Sequence, residues 1–508
     1  MKDTFDLKKL QEEEKAKDRY QVLENTKSTV MSRARDCAKL TIPSILPDEG
    51  SNEETTFDTP YQGVGAKLVN NLASKLLLAL LPPNTNFFRL SPDNKLKGDI
   101  KQLDPAQQAE IDSQLALMEN EGVSIIEKEA MRVPSFEAFK SLIVTGNSLL
   151  YKTETGLQCY RLDQYVVQRD YEGNVVEIIM KEQVSVDALP DDVYSKLELD
   201  TEQTKVTVYT RLVRKVNKWY EYQEVEDVLV EGSDATYDLT SLPAIPLRWT
   251  AINGENYGRG LVEQYLGDFR SLEALYQLFI ETCAVQARTI FGKKPGSIID
   301  LDSLNEAKNG QTILGDLEND ITTLRVDKGA DLNTPLQAIQ DLTQRLSAAF
   351  LAVSSVTRQA ERVTALEIQT MAGELEESLG GLYSVLSLEY QLPIARLILD
   401  KMNISLQGID ITIVTGIEAL GRNDDLNKLR QFNALIKEVG AEMVLPYMDI
   451  GGYIKRIANS LNLDTTGLIK SQEQMAQEQQ AQQAQQMGNY AGQQMIDAGA
   501  QQMAQQEV

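Results

Sequence analysis

Apolar side chains recur at helical spacing in several long segments of the chain. The most regular segment covers residues 64–81, where five of them follow one another at intervals of four: Val64, Leu68, Leu72, Leu76 and Leu80. Positions spaced in this way lie on one face of an α-helix. The pattern therefore predicts a helix over 64–81, and less regular stripes predict helices over 1–40, 104–131 and 134–150.

Residues 150–250 are different, because β-branched and aromatic side chains become frequent there. Such residues favour strands. Two runs within 156–186 flank the turn sequence DYEGN, and the runs 205–212 and 218–230 continue the pattern. The chain is thus predicted to be mainly α with a β-rich insert, an α+β fold class.

Two further amphipathic segments bracket a polar one. In residues 260–291 the apolar positions alternate between steps of four and three, which is close to a heptad pattern. A second helix is predicted over 334–354, with Pro335 in its first turn. The segment between them is rich in Gly, Asp, Asn and Thr and contains the short β-like pieces SIIDL and TTLRV.

Periodicity alone favours an ordinary antiparallel hairpin inside a globular core for these two helices. Five additional apolar residues broaden the stripe of the first helix: Val262, Leu266, Leu275, Leu278 and Ile280. A broad stripe is what side-by-side packing between subunits requires. Both interpretations stay open on the residues alone.

Another helix is predicted from Thr364, because Thr364 and Glu367 form a capping box. Gly380, Gly381 and Pro393 are predicted to bend or break it. A strand-like run follows in 404–414, and a small helical cluster is predicted within 424–461.

Candidate chemistry is sparse. The chain contains no histidine, which excludes Ser-His-Asp and Cys-His catalysis and histidine metal sites. It has no phosphate-binding loop of the G-x-x-x-x-G-K-[ST] type. Adjacent carboxylates at 191–192, 376–377 and 424–425 are expected to be solvated, and Cys37, Cys159 and Cys283 are expected to be reduced buried thiols. We expect no catalytic residue, no metal and no cofactor, and therefore no enzyme.

The net charge of −25 is unlike that of a protein that holds DNA by neutralising its phosphates. An acidic wall suits a conduit through which DNA slides, and it equally suits the solubility of a large assembly. The sequence has no uncharged apolar run long enough for a membrane-spanning helix and no apolar signal-peptide core at its first residues. We therefore expect assembly in a cytoplasm and no membrane partner.

Several segments resemble the portal proteins, the head-tail connectors of short-tailed, podovirus-type tailed bacteriophages. They are NNLASKLLLALLPP from Asn70, VTGNSLLY from Val144, YRLDQYVVQRD from Tyr160, GENYGRGLVEQYLGDFRSLEAL from Gly254, the stretch 358–399, and TGIEALGRNDDL from Thr415. Their order and spacing extend over roughly 400 residues.

The resemblance implies a subunit with the following regions, in chain order: a wing over 1–259, a first stem helix over 260–291, a clip over 292–332, a second stem helix over 333–355, a tunnel loop over 356–363, a wing helix and return strand over 364–415, a crown over 416–470, and a Gln/Ala-rich tail over 471–508, which we expect to be disordered. Subunits of this kind would assemble into a ring of twelve with a central channel.

The resemblance places Arg358, Glu361 and Arg362 in the tunnel loop, facing DNA. Two interpretations of the arginines stay open, transient phosphate contacts and ion pairs with acids such as Glu361. Lys293 and Lys294, where the stem meets the clip, are a second candidate pair for the channel.

The expected function is a portal at one capsid vertex of the virion, through which double-stranded DNA is packaged and ejected without sequence specificity. The implied partners are the terminase packaging motor, tail adaptor and nozzle proteins, and the major capsid and scaffolding proteins. The alternative from another class is an acidic cytoplasmic helical scaffold or adaptor without a DNA path.

Residues 471–508 generate the first testable prediction. They contain 15 glutamines, no Lys or Arg and almost no bulky apolar side chain. Because such a segment has little to bury, its deletion should leave the folded body and ring formation intact. Thermal unfolding of the truncated chain is the measurement, and a drop of the midpoint by more than about 5 °C would show that the segment packs on the body.

Overall fold

A computed structural model describes residues 14–52, 54–83, 86–93, 96, 105–197, 204–215, 217–287, 290–324, 332–352, 373, 375, 377–402, 404 and 408–414. The chain divides into two compact units, Met1–Gly416 and Ile417–Val508, and every described residue belongs to the first. The predicted crown and the Gln/Ala-rich tail thus lie outside the described residues.

The described helices lie before, between and after groups of strands along the chain. In chain order they are α1 Ala16–Lys39, α2 Val64–Leu80, α3 Pro105–Lys128, α4 Arg132–Thr145, α5 Asp191–Tyr194, α6 Leu261–Gln264, α7 Leu266–Ala287, α8 Leu301–Asn305, α9 Leu317–Asp320, α10 Asn333–Ala349, α11 Gly381–Leu386 and α12 Leu392–Lys401.

The strands form antiparallel sheets. They are β1 Phe88–Pro92, β2 Asn147–Thr153, β3 Gly156–Tyr160, β4 Tyr165–Arg169, β5 Val175–Ser185, β6 Lys205–Lys215, β7 Lys218–Val225, β8 Val228–Leu229, β9 Ala235–Asp238, β10 Ala244–Arg248, β11 Ile290–Lys293, β12 Ile321–Leu324 and β13 Ile409–Ile413. The largest sheet has the order β4-β5-β6-β7-β8, with β9 also paired to β7, and a smaller one has the order β10-β2-β3. The fold is therefore mixed α and β, with the β-rich insert where the sequence predicts it.

One contiguous core joins α2, α4, the β10-β2-β3 sheet and the helices α11 and α12. The helix α2 is close to the predicted 64–81, and its stripe of Leu68, Leu72, Leu76 and Leu80 is fully buried. Strands β1 and β13 pair from Phe88↔Ile413 to Pro92↔Ile409, so this small sheet joins segments that lie 317 or more positions apart in the sequence.

Helix α1 packs its apolar face on the largest sheet through Tyr20 and Leu23. Lys27 lies in the same stripe and is completely buried. Its Nζ donates to the backbone oxygens of Leu162 and Tyr165, each at 2.8 Å. Burial lowers the pKa of Lys27 to about 8. A buried cation thus lies between α1 and the largest sheet. Its hydrogen bonds go to backbone carbonyl groups and not to a carboxylate.

The first turn of α1 is capped from a distance. Lys15, at the N-cap, makes no side-chain cap, and Glu224 of β7 accepts a hydrogen bond from the backbone N–H of Ala16 at 2.7 Å. A carboxylate at this end also interacts favourably with the positive end of the helix dipole. Nearby, Arg211 and Glu177 form an almost fully buried ion pair with an Nη2–Oε1 distance of 2.6 Å. Glu177 also pairs with Arg19 of α1 at 2.8 Å, so α1 is held on the sheet by Glu224 and Glu177.

Two predicted helix ends are wrong. The helix predicted over 134–150 ends at Thr145, because Gly146 adopts a left-handed conformation with φ of 79° and β2 starts at Asn147. The helix predicted over 260–291 is interrupted at Tyr265 and ends at Ala287, and β11 begins at Ile290. In both places apolar residues occur on the two sides of the boundary, so hydrophobicity alone did not mark it.

The remaining differences are smaller. Helix α10 ends at Ala349, not at 354, and Leu351 follows with φ of 55°. Of the two β-like pieces between the long helices, TTLRV contributes to β12, whereas SIIDL leads into the short helix α8. The break predicted at Gly380 is present, with φ of 52°. Pro393 instead lies in the first turn of α12, directly after a π-helical turn over Ser387–Gln391.

Lys27 generates a prediction about pH. The unfolded lysine keeps its proton up to a pKa near 10.4, whereas the folded one releases it near 8. Between these values the unfolded state binds more protons, so this residue makes the free energy of unfolding rise with pH, by at most about 1.4 kcal/mol per pH unit. Lys27→Met should lack this contribution. Lys39→Met, at an exposed lysine of the same helix, is the control.

Denaturant unfolding of the three proteins between pH 7 and pH 10 measures the effect. The curves of wild type and Lys39→Met should run parallel, and Lys27→Met should fall behind them as the pH rises. Equal slopes for all three would contradict the account of Lys27.

Candidate assembly surface

The junction between α4 and β2 sets the start of the first long helix. A Cβ placed on Gly146 would lie 2.4 Å from the backbone nitrogen of Gly260, so the two chain segments touch backbone to backbone. The Asn147 side chain locks the contact, since its Nδ2 donates to the oxygen of Gly258 at 3.0 Å and its Oδ1 accepts from the nitrogen of Gly258 at 2.7 Å. Helices α6 and α7 follow directly from this clamp.

Aromatic side chains then hold the two long helices together near the clamp. Phe350, just after α10, is fully buried, and its ring centroid lies 6.0 Å from that of Tyr265 and 5.7 Å from that of Phe269. Lys75 of α2 donates from Nζ to the oxygen of Leu351 at 2.8 Å. Arg345 of α10 and Asp268 of α7 add an exposed ion pair at 3.4 Å. The pair α7 and α10 is therefore anchored to the body at one end.

Burial fades along α7 away from this anchor. Phe269 and Leu272 are completely buried, whereas every described side chain of α7 beyond Leu272 is at least partly exposed. In the same distal half, Leu278 is 54%, Ile280 45% and Val285 50% exposed. Leu336 of α10 is 40% exposed. The far part of the helix pair thus presents several large apolar side chains to its surroundings.

The exposed side chains of α7 point in two directions. With about 100° of rotation per residue, Leu278 and Val285 lie within about 20° of each other on the helix. Ile280 lies about 160° away from Leu278, on the opposite side. Leu275, Tyr276 and Phe279 of the same helix are partly buried and pack against the core. Among the described residues, the distal half of α7 therefore exposes two separate apolar faces.

The segment between the long helices is built around a hairpin. Strands β11 and β12 pair from Ile290↔Leu324 to Lys293↔Ile321, and the nitrogen of Lys294 donates to the oxygen of Asp320 at 2.9 Å. The side chains of Lys293 and Lys294 are exposed at the end of this hairpin, and neither forms an ion pair with a carboxylate of the described residues. Beyond it, Ile298 and Leu314 are 77% and 84% exposed.

The other predicted site residues, Arg358, Glu361 and Arg362, lie outside the described residues. Of the five side chains that broaden the stripe, Val262 is fully buried in the core of the subunit and Leu266 and Leu275 pack partly against it, whereas Leu278 and Ile280 are exposed. Only the last two fit packing between subunits. Val285 was missed, although its heptad spacing from Leu278 was a usable signal.

Potential metal-ligating side chains are scattered over the part of the chain that the structure describes. No group of three or more Cys, Asp and Glu side chains there is arranged to hold a metal ion. Cys37 is buried, and burial raises the pKa of its thiol to about 12 and that of Cys159 to about 11. A helix suited to crossing a membrane is likewise not found among these residues.

Comparison with known proteins gives consistent matches over the whole body of the chain. A sequence model of the family described as "Bacteriophage head to tail connecting protein" matches residues 13–469. The portal protein of Enterobacteria phage T3 is 40% identical over 482 residues, covering 91% of this chain and 89% of that protein. The portal protein of Escherichia phage T7 is 38% identical over 515 residues, covering 97% and 94%.

The portal protein of Enterobacteria phage SP6 is 32% identical over 466 residues and covers 89% of both chains. Among solved structures, the neck of a native gene transfer agent particle, computed with C12 symmetry, is similar at a TM-score of 0.34 and 11% identity, covering 80% of this chain and 91% of that chain.

Proposed function

The chain belongs to the bacteriophage head-to-tail connecting protein family and is a portal protein; we propose that it forms a closed ring at one vertex of the capsid, through which double-stranded DNA enters and leaves. The observation that carries the ring is the pair of exposed apolar faces on opposite sides of α7. The alternative of a cytoplasmic scaffold without a DNA path is set aside, because the family match covers 13–469.

A ring explains the two faces physically. In a cyclic assembly each subunit meets two neighbours through two different surfaces, and such head-to-tail contacts close when the rotation permits. Leu278 and Val285 would face one neighbour and Ile280 the other. Burying exposed leucine, isoleucine and valine side chains contributes roughly 1.5–3 kcal/mol each when burial is complete. Repeated around a ring, these contacts favour the closed state.

The regions of the subunit follow from this arrangement. The body with its β-rich insert is the wing, α7 and α10 are the stem, and the hairpin segment between them is the clip. The single anchored end of the stem supports this division, since it leaves the distal helix surfaces free for neighbouring stems. We propose twelve subunits, as the family resemblance implies, and a crown over 416–470.

The DNA path requires surfaces that do not bind phosphate strongly. The net charge of −25 per subunit disfavours tight binding of DNA. Within that acidic background, Arg358 and Arg362 of the tunnel loop, with Glu361 between them, and Lys293 and Lys294 at the foot of the clip would provide transient, sequence-independent phosphate contacts. The protein itself would perform no reaction and bind no cofactor.

Its partners would be the terminase motor during packaging and tail adaptor and nozzle proteins afterwards, with major capsid and scaffolding proteins around the wing. Ile298 and Leu314 are the most exposed large apolar side chains described in the clip, and we propose them as contact residues for these partners.

Assembly provides one test. Leu278→Glu combined with Ile280→Glu places a charge on each face of α7, so subunits should fail to close into rings. Because both positions are exposed in the subunit, its own stability should change by no more than about 0.5 kcal/mol. Light scattering should show about ten or more subunits for wild type and much smaller particles for the variant.

Leu117→Glu is the matched control, since Leu117 of α3 is also a leucine, 57% exposed, and lies outside the stem. It should assemble like wild type. Full-size rings from the double variant would contradict the proposed packing of the stem, and loss of its folded circular dichroism signal would mean that the substitutions act within the subunit.

The tunnel loop provides another test. Arg358→Ala with Arg362→Ala should give rings of normal yield and stability, because exposed loop substitutions usually change stability by no more than about 0.5 kcal/mol. Capsids that carry the variant should package or retain less DNA, since each lost cation weakens a phosphate contact. Genome content is measured beside ring yield. Normal filling and retention would refute a DNA role, and failed rings would indicate ion pairing, with Glu361 as the first partner to replace.

A further inference from the structure

A cavity of about 400 Å³ lies between the large sheet, the segment that leads into β10, and helix α12. Three arginines line it from three different elements: Arg169 at the end of β4, Arg214 on β6 and Arg396 on α12. Its volume is within the range of sites for small ligands, roughly 300–1,000 Å³. In a chain with a net charge of −25, a cluster of cations around a cavity calls for an explanation.

The carboxylates of this cavity are already paired with other cations. Glu389 forms an ion pair with Arg248 at 3.2 Å, and Asp400 pairs with Lys152. Among the described residues, no carboxylate lies within ion-pair distance of Arg169, Arg214 or Arg396. Asp170 influences Arg214 electrostatically, but its oxygens accept hydrogen bonds from the backbone and side chain of the 170–174 turn.

Arg169 is the most rigidly held of the three. Its Nε donates to the oxygen of Asn256 at 3.2 Å, its Nη1 to that of Gly173 at 3.0 Å and its Nη2 to that of Pro246 at 3.0 Å. Burial, and then the neighbouring charge of Arg248, lower the pKa of Arg169 to about 10. Burial also lowers the pKa of Arg396. The charge of Arg169 is thus held among backbone carbonyl groups, with Arg248 acting to lower its pKa and Glu389 acting to raise it.

From this geometry we propose that the cavity binds a phosphate dianion, either inorganic phosphate or the terminal phosphate of a small phosphomonoester. Guanidinium groups recognise such oxyanions through charge-assisted, often bidentate hydrogen bonds. The remaining lining includes Leu242, Pro246 and Leu397, which suits the organic part of a phosphomonoester. A bound anion would join β4 and β6 of the β module to α12, and so tie together parts of the body that lie far apart in the sequence. The inference does not depend on ring formation.

The test titrates the full-length assembled protein with phosphate and with dAMP by calorimetry, at constant ionic strength adjusted with chloride. Saturable binding of about one anion per subunit and a rise of the thermal midpoint with ligand concentration are expected. Tighter binding of dAMP than of phosphate would identify the phosphomonoester as the better ligand; equal affinity would identify free phosphate.

Arg396→Gln and Arg214→Gln, both at partly exposed positions, should each weaken the binding at least about tenfold. Arg161→Gln, which removes the same charge away from this cavity, should bind like wild type. The proposal would be overturned if wild type showed no saturable phosphate binding at concentrations up to about 10 mM. Equal binding by all variants would overturn it as well. So would a rise of the thermal midpoint with chloride as large as the rise with phosphate.

Discussion

The close backbone approach of Gly146 and Gly260 is the constraint on which the rest of the functional architecture depends. It lets the Asn147 side chain form two hydrogen bonds with the backbone of Gly258, and so fixes the point at which the chain leaves the body for the long helices. No larger residue fits at either glycine without moving the backbone of the other segment. The packing of Phe350 on Tyr265 and Phe269 then holds the second helix to the first at the same end.

A helix pair anchored at one end has consequences for assembly. The buried side chains of α7 lie near the anchor, and its exposed apolar side chains lie beyond it. Exposed apolar faces on opposite sides of one helix suit contacts with two neighbours. In the ring that we propose, each stem would cover the apolar faces of the stems beside it, and the negative net charge would disfavour tight binding of DNA.

The sequence predicted best the elements whose pattern is strictly local. Helix α2 is predicted to within one residue because its leucines repeat every four positions and all of them are buried. The end of α4 was missed because the run that includes Leu149 and Leu150 is apolar on both sides of Gly146, so helix and strand looked alike. The cap of α1 by Glu224 and the carbonyl partners of Lys27 come from residues 135 or more positions away, and no local pattern reports them.

For the site, periodicity identified Leu278 and Ile280 as additional apolar residues, but only the structure separates them from the buried Val262.

The most direct measurement of the central claim is the structure of the purified wild-type assembly by electron cryomicroscopy. The account predicts a closed ring with a central channel, in which Leu278 and Val285 of one subunit are buried against one neighbour and Ile280 against the other. Particles without a channel, or rings in which these three side chains remain in water, would contradict it.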